Sequence, residues 1–315
     1  MRSYQRRLMR QVRQASSSPT APASQLSRND AVIAEGPKTR LLIACPDRPG
    51  LIASVSGFLA DAGLNISDAD QHSGAEGRLF MRMVFDSAPE ADRAQLYAAF
   101  DAEIATSLGM EHRFAQAGEP KRVAIMVSRE DHCLHDLLWR WRSGELEAEL
   151  GLVISNHAAH ATMVEQFGVA FEHIPVAREN KDAAERAALE LLAGKVDLLV
   201  LARYMQILSP SFLAGIGAPT INIHHSFLPA FVGADPYQRA HERGVKLVGA
   251  TAHYVTEELD GGPIIDQDVT RISHRDEAAD LVRVGRDTER LVLARAVKAH
   301  LEDRVLLDGV RTIVF

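Results

Sequence analysis

Three nearly unbroken apolar runs constrain this chain more than any other feature: RVAIMVS over residues 122–128, LGLVISN over 150–156 and VDLLVLA over 196–202. A strand with one wet face alternates apolar and polar residues, whereas a run without alternation is a strand covered on both faces, as in a parallel sheet between helix layers. Helical stretches separate the runs, so residues 121–315 read as a doubly wound α/β domain. Ligands of such sheets bind beyond the carboxyl ends of the strands, which directs attention to the segments after Val127, Ile154, Ala202 and Ile223.

Upstream of a short polar break at Gly118–Lys121 the periodicity differs. TRLLIACP reads as a strand ended by Pro46, and Leu51, Ile52, Val55, Phe58 and Leu59 then recur at helical spacing until Gly63. LNISDADQHS and RLFMRMVFD alternate across a turn at Gly74–Gly77, a hairpin pattern. A helix carrying Leu96, Phe100 and Ile104 and a strand MEHRFAQ follow. The β-α-β-β-α-β order predicts a ferredoxin-like domain over residues 38–117. The first thirty residues hold six arginines and a single acid, Asp30, among Ser, Ala and Pro. They offer no core, so residues 1–37 are expected to form a disordered basic extension. Such a leader suits either a loose extension in the cytoplasm, the compartment expected here, or a transit peptide for the mitochondrial matrix.

Composition removes several functions. At 315 residues, with 35 Lys+Arg against 42 Asp+Glu and a formal charge of −7, the chain is long enough for two domains and has no global basic field to hold a nucleic acid. Cys45 and Cys133 stand far apart, which gives neither a disulfide framework nor a thiolate zinc site. No apolar stretch approaches the ~20 residues a membrane span needs, so no membrane partner is expected.

Chemistry concentrates in residues 220–268, where Asn, His and acids lie between two strand-like runs. Asn222 and His224 flank Ile223, and the period of two puts both side chains on one face. An amide NH2 and a protonated imidazole are the donors that a tetrahedral oxyanion requires. The turn Leu259-Asp260-Gly261-Gly262-Pro263 could supply a carboxylate to orient the histidine. Against this, Asn-x-His is ordinarily a strand-end hydrogen-bonding pair and Asp before Gly ordinarily turn chemistry. Spacing alone leaves both readings open.

Taken in order, Asn222-Ile223-His224, Ser226-Phe227-Leu228-Pro229 and Leu259-Asp260-Gly261-Gly262-Pro263 resemble the Rossmann-like formyltransferase fold that uses 10-formyltetrahydrofolate. The resemblance implies that Asn222 and His224 hold the formyl oxygen and that Asp260 pairs with His224 and assists as general base. It also implies folate contacts from Tyr204, Met205, Gln206, Ile207 and Leu208 and from Val255, Thr256, Glu257, Glu258 and Leu259. The loop Ser128–Leu134 is glycine-free and carries Glu130 and Asp131 where the glycinamide ribonucleotide enzymes hold a phosphate, so like charge opposes that acceptor. About fifty residues follow the Asp260 loop, reading as one long helix and a hairpin, and leave no room for an RNA-binding extension.

SREDHCL, LLWRW, LARYMQILSP, NIHHSFLPAF and the signature Asp47-Arg48-Pro49-Gly50-Leu51 are instead similar to the formyltetrahydrofolate deformylase family, with an N-terminal ACT domain. That resemblance implies hydrolysis of a formamide C–N bond, with 10-formyltetrahydrofolate as substrate, no tightly bound cofactor, no metal, and a part in one-carbon balance and purine synthesis. It places His225 beside the reaction as a water-positioning or supporting residue. It also implies a candidate amino-acid effector site at Asp47, Arg48, Pro49, Gly50, Leu51 and Asn65, and a homo-oligomer. Asp235 and Gln238 depart from the family's pattern, on the loop beyond His224. An amine-directed formyltransferase and an amino-acid sensor with an inactive catalytic domain are the competing readings. His132/His135 and His157/His160 have the i, i+3 spacing of a metal pair but no third ligand at sensible spacing. Trp139 and Trp141 read as packing and a solvated face.

Overall fold

The computed structural model describes residues 36–74, 76–229 and 236–315, without the Pro236 side chain; all but the last two residues of the expected basic extension lie outside them. The N-terminal half follows the predicted order: β1 (Lys38–Pro46), α1 (Leu51–Asp61), β2 (Ile66–Ser73), β3 (Arg78–Asp86), α2 (Glu90–Phe100) and β4 (Glu111–Ala117). Its antiparallel sheet has the order β2-β3-β1-β4. Leu41, Ile43 and Cys45 of β1 face Val55, Leu59, Phe85 and Phe100. Leu42 faces the other way, onto Phe80 and Leu306. β1 therefore reads as a continuous apolar run because the hairpin β12 (Val305–Asp308) and β13 (Arg311–Val314) covers its second face.

The larger half contains β5 (Lys121–Val127), α3 (His132–Arg142), β6 (Ala148–Ser155), α4 (Ala161–Gln166), β7 (Ala170–His173), α5 (Lys181–Leu192), β8 (Leu198–Ala202), α6 (Pro210–Ile216) and β9 (Thr220–His224). Then come α7 (Pro236–Arg243), β10 (Leu247–Tyr254), β11 (Ile264–Arg271) and α8 (Ala278–Leu301). The sheet order is β11-β10-β9-β8-β5-β6-β7, with β5 to β9 parallel and β10 and β11 antiparallel. Val123, Ile125 and Val127 pack under Leu134, Leu138, Leu293 and Val297. Ala124 and Met126 pack on the opposite face under Leu192, Phe212 and Ile216. Two-sided burial thus accounts for the apolar runs. The chain reverses its direction of travel across the sheet between β5 and β8, which is the switch point where ligands of such sheets bind.

Helix α8 starts in a capping box between Glu277 and Asp280. Its C-terminal end is capped by cations of the small sheet and its junction: Arg40 Nη1 and Lys121 Nζ donate to the Leu301 carbonyl at 3.3 and 2.6 Å, and Arg82 donates to the carbonyls of Glu302 and Asp303. The Asp303 carboxylate, 1% exposed, meets Arg40, Arg113 and Lys121 at 3.2, 2.7 and 3.0 Å. Burial raises its pKa, but Lys121 and Arg113 outweigh that and hold it below the ordinary value.

Candidate active site

Strand β9 ends with Asn222 and His224 on one face, and antiparallel β10 sets His253 opposite Asn222. The Asn222 amide nitrogen lies 3.2 Å from His253 Nε2. His224 Nδ1 is 3.3 Å from Asp260 Oδ1, and His253 Nε2 is 3.7 Å from the same oxygen. Asp260 occupies the left-handed region at φ 56°, a conformation that costs a non-glycine residue roughly 1–3 kcal/mol and is held only by its surroundings. What holds it is the turn beyond: Tyr254 N donates to Pro263 O, and Gly262 packs so closely that an added Cβ would stand 1.8 Å from the Tyr254 carbonyl. Hydrogen bonds from His224, then His253, hold the Asp260 carboxyl far below the usual carboxylate range. A carboxylate that acidic is a poor proton acceptor, which favours pairing over the general-base role expected from sequence.

His224 is 6% exposed, and its Nε2 finds no hydrogen-bond partner among the described residues. A buried imidazole oriented at Nδ1 with an unfilled Nε2 is poised to donate to a group brought by a ligand. The chain leaving His224 is fixed by Thr251, whose hydroxyl donates to Ser226 O and accepts from Leu228 N, and by Gln267, which donates to Leu228 O. His225 turns the other way, its ring centroid 5.3 Å from that of His224. Burial and the nearby Arg203 lower its pKa to about 4, so this imidazole is neutral at pH 7. It lines a cavity of about 310 Å³ with Arg203, Tyr237, Gln238, Arg286 and Glu289 among its walls.

The two segments expected to hold folate meet at their inner ends: Tyr204, Leu208 and Val255 pack on one apolar cluster. Their outer residues are free for a ligand. Met205, Ile207 and Leu259 are exposed apolar side chains, Thr256, Glu257 and Glu258 are exposed, and Gln206 is half-buried. Burial, then Glu185, raises the Tyr204 hydroxyl to about 12, so it stays a neutral donor.

In the small domain, Asp47, Arg48, Pro49 and Gly50 form an exposed loop and Leu51 a buried anchor. Asn65 does not join them. It follows the far end of α1, eleven residues or about 16 Å long, and its carbonyl pairs with Asp86 N at the other end of the sheet.

One other expectation needs correction. Glu130 is ion-paired with Arg286, so it does not stand as the uncompensated charge that was to repel a phosphate. Of the two histidine pairs, His132 Nε2 bonds Glu289 at 2.8 Å and His160 Nε2 bonds the Ser128 carbonyl. Cys133 joins His132 and Glu289 in the grouping of metal-ligand type found among the described residues, but Tyr237 and Arg203 already serve that carboxylate. Trp141 packs, donating to Ala148 O, while Trp139 is 63% exposed. Gln238 donates to Glu242, and Asp235 lies outside the described residues. Sequence reasoning missed His253, Arg203, Tyr237 and Glu289. The available signal was a polar residue on a buried stripe: His253 in GATAHYV, and Glu289 in register with Leu281, Gly285 and Leu293.

Residues 121–297 match the family model for formyl transferase, and residues 39–105 that for the ACT domain. Fold and site together define a formyl transferase domain preceded by an ACT domain. Over 279 residues the chain is 59% identical to the formyltetrahydrofolate deformylase of Mycobacterium tuberculosis, covering 88% of this chain and 90% of that one. It is 51% identical over 282 residues to that of Bacillus subtilis, covering 88% and 94%. The crystal structure of a formyltetrahydrofolate deformylase from Pseudomonas syringae superposes with a TM-score of 0.85 at 48% identity, covering 90% of this chain and 96% of that one. The chain belongs to the formyltetrahydrofolate deformylase family.

Proposed function

We propose that this enzyme hydrolyses 10-formyltetrahydrofolate to tetrahydrofolate and formate, with the folate as substrate rather than resident cofactor. The observation that carries the reading is the buried cluster of Asn222, His224 and Asp260 with His224 Nε2 unfilled. Water adds its oxygen to the formyl carbon, the carbonyl π pair moves onto oxygen, and Asn222 N–H and the protonated Nε2–H of His224 receive the oxyanion. Collapse breaks the C–N10 bond, N10 takes one proton of the water, and the other is released as formic acid ionises at neutral pH. Asp260 fixes the orientation of the His224 ring and balances its positive charge. The neutral His225 is suited to accept a hydrogen bond from the attacking water. Met205, Ile207 and Leu259 would cover the apolar faces of the pterin, with Tyr204 and the Val255–Leu259 backbone supplying polar contacts.

An amino-acid effector at Asp47–Leu51 belongs to the same reading. Asn65 stands at the wrong end of α1 to complete that site in one chain, so a site using both would draw Asn65 from a second copy in a homo-oligomer.

The test is to incubate the protein with 10-formyltetrahydrofolate and no acceptor, following tetrahydrofolate and formate. Formate release that disappears in Asp260→Asn is the expected result. Turnover that requires an added amine would make the protein a transferase, and silence in both conditions would leave the sensor reading.

A further inference from the structure

The three non-glycine residues with positive φ among the described residues are Asp260, Asp303 and Arg203. The first two have been placed, in the reaction site and at the junction of the halves. Arg203, at φ 63°, follows β8 at the switch point of the sheet. Its conformation is fixed from the β5 side: Ser128 N donates to the Arg203 carbonyl at 3.2 Å, and Ser128 Oγ accepts from Met205 N at 3.0 Å. The side chain, 12% exposed, is thereby sent into the cavity that His225 lines.

The guanidinium is held but not satisfied. Its Nε lies 3.4 Å from Glu289 Oε2, an ion pair without hydrogen-bond geometry, and both Nε and Nη1 lack an acceptor among the described residues. Glu289 is committed elsewhere, accepting from Tyr237 Oη at 2.5 Å and bonding His132 at 2.8 Å. A second guanidinium, Arg286, lines the same cavity and is paired with Glu130. Gly285 admits the tyrosine that closes this wall, since a Cβ there would come within 2.0 Å of Tyr237 Oη. Arg286, held by Glu130, and Arg203, which shares Glu289 with Tyr237 and His132 and keeps two donors unfilled, make a receptor for an anion. Two glutamates balance the two arginines, so the cavity offers unfilled N–H donors rather than excess charge, and a planar monocarboxylate matched to a guanidinium fork is desolvated there at lower cost than a dianion.

We propose that this cavity is a binding site for a small monocarboxylate, and that its occupant during turnover is the formate produced on the other side of His225. This rests on the hydrolytic reading of the site. His225 lines the cavity and its ring stands 5.3 Å from that of His224, so formate held there would leave the oxyanion donors free for the next substrate. The neutral His225 imidazole on the cavity wall does not trap the anion by charge.

Binding is tested without catalysis, by titrating the full-length protein with 13C-formate and following the line width of the formate resonance. Saturable broadening is expected, weakened tenfold or more in Arg286→Gln and in Arg203→Lys, the latter keeping the charge but not the fork. Circular dichroism checks that both variants fold. Formate should also inhibit hydrolysis without competing with folate. No saturable binding to protein that releases formate normally would overturn the proposal, as would equal affinity in folded variants, or inorganic phosphate binding more tightly than formate. The hydrolytic reading fails by a different result, the absence of formate release from 10-formyltetrahydrofolate.

Discussion

The two halves of this molecule present their candidate sites in opposite ways. In the formyl transferase half, Asn222, His224, His253 and Asp260 converge within one chain, largely buried, with Asp260 in a strained backbone conformation fixed by its turn. In the ACT half, Asp47 to Gly50 lie on an exposed loop, the turn is made by Gly50 at φ 93° without strain, and Asn65 stands at the far end of α1. A site that performs chemistry must be pre-organised, because donors that reorient during the reaction lose their advantage. A site that senses a ligand can be completed on binding, by the ligand or by a second subunit.

The halves are not independent, however, and the sharpest way to break the comparison is at Asp303. Replacement by Asn keeps a residue that tolerates positive φ and removes only the charge that Arg40, Arg113 and Lys121 share. Leaving Arg40 and Lys121, the two largely buried cations, without their counter-ion costs about 3 kcal/mol, the low end for a broken buried pair because solvent screens the half-exposed Arg113. Both tryptophans lie in α3, so their fluorescence reports the formyl transferase half, and amide exchange in β1 and β3 reports the ACT half. In the parent protein the two unfolding transitions should coincide. In Asp303→Asn the ACT half should open at lower urea; coincident transitions would show that the junction does not couple the halves through this carboxylate.

Within the formyl transferase half, Asn222→Ala removes one of the two proposed oxyanion donors and should cost about 2.7–4 kcal/mol of transition-state stabilisation, or ~10²–10³ in kcat. Steady-state kinetics should show folate KM little changed. A near-normal kcat would remove Asn222 from the mechanism.

What could be read beforehand follows the range of the interactions. The ACT half was legible to within two residues at its strand ends because hairpins and helix periods are local, and Pro46 and Gly63 punctuate them. Asn222 and His224 were legible as a pair because one strand period relates them. Their partners were not. Asp260 lies thirty-six positions beyond His224, and only the family resemblance joined them. His253 sits in a buried strand, where a lone histidine reads as core until the β9–β10 register sets it against Asn222. The Asp303 cluster draws its cations from three separate segments of chain, each an ordinary surface charge by sequence. β7 and β11 lack unbroken apolar runs because they lie at the sheet edges, where one face is partly open, whereas β10 is buried on both faces and its run is interrupted by Gly249, Thr251 and His253.

His253 tests whether the missed partner matters. His253→Gln leaves a side chain able to reach Asn222 but gives up the second contact with Asp260. A hydrogen bond of about 1 kcal/mol, lost from the geometry of the oxyanion donors, predicts roughly a five- to tenfold fall in kcat with the protein fully folded. A fall as large as that of Asn222→Ala would mean that His253 contacts the reacting group itself.

A change of pH probes the same comparison without a mutation, because the stability it moves belongs to the formyl transferase half and its junction. Burial holds His225, and likewise His300, at a pKa of about 4, against 6.5 for a free imidazole. Between these values the unfolded chain binds protons that the folded chain refuses, so stability is full above about pH 6.5 and declines as pH falls toward 4. Asp260, with its folded pKa depressed, adds stability above its unfolded value that is lost only at lower pH, and it leaves this window untouched. The urea midpoint read by tryptophan should therefore fall from pH 7 to pH 4.5, and the fall should be smaller in the double variant His225→Gln, His300→Gln. If the double variant keeps the full slope, the titrating groups lie elsewhere, and the unprotonated His225 assigned to the attacking water loses its physical basis.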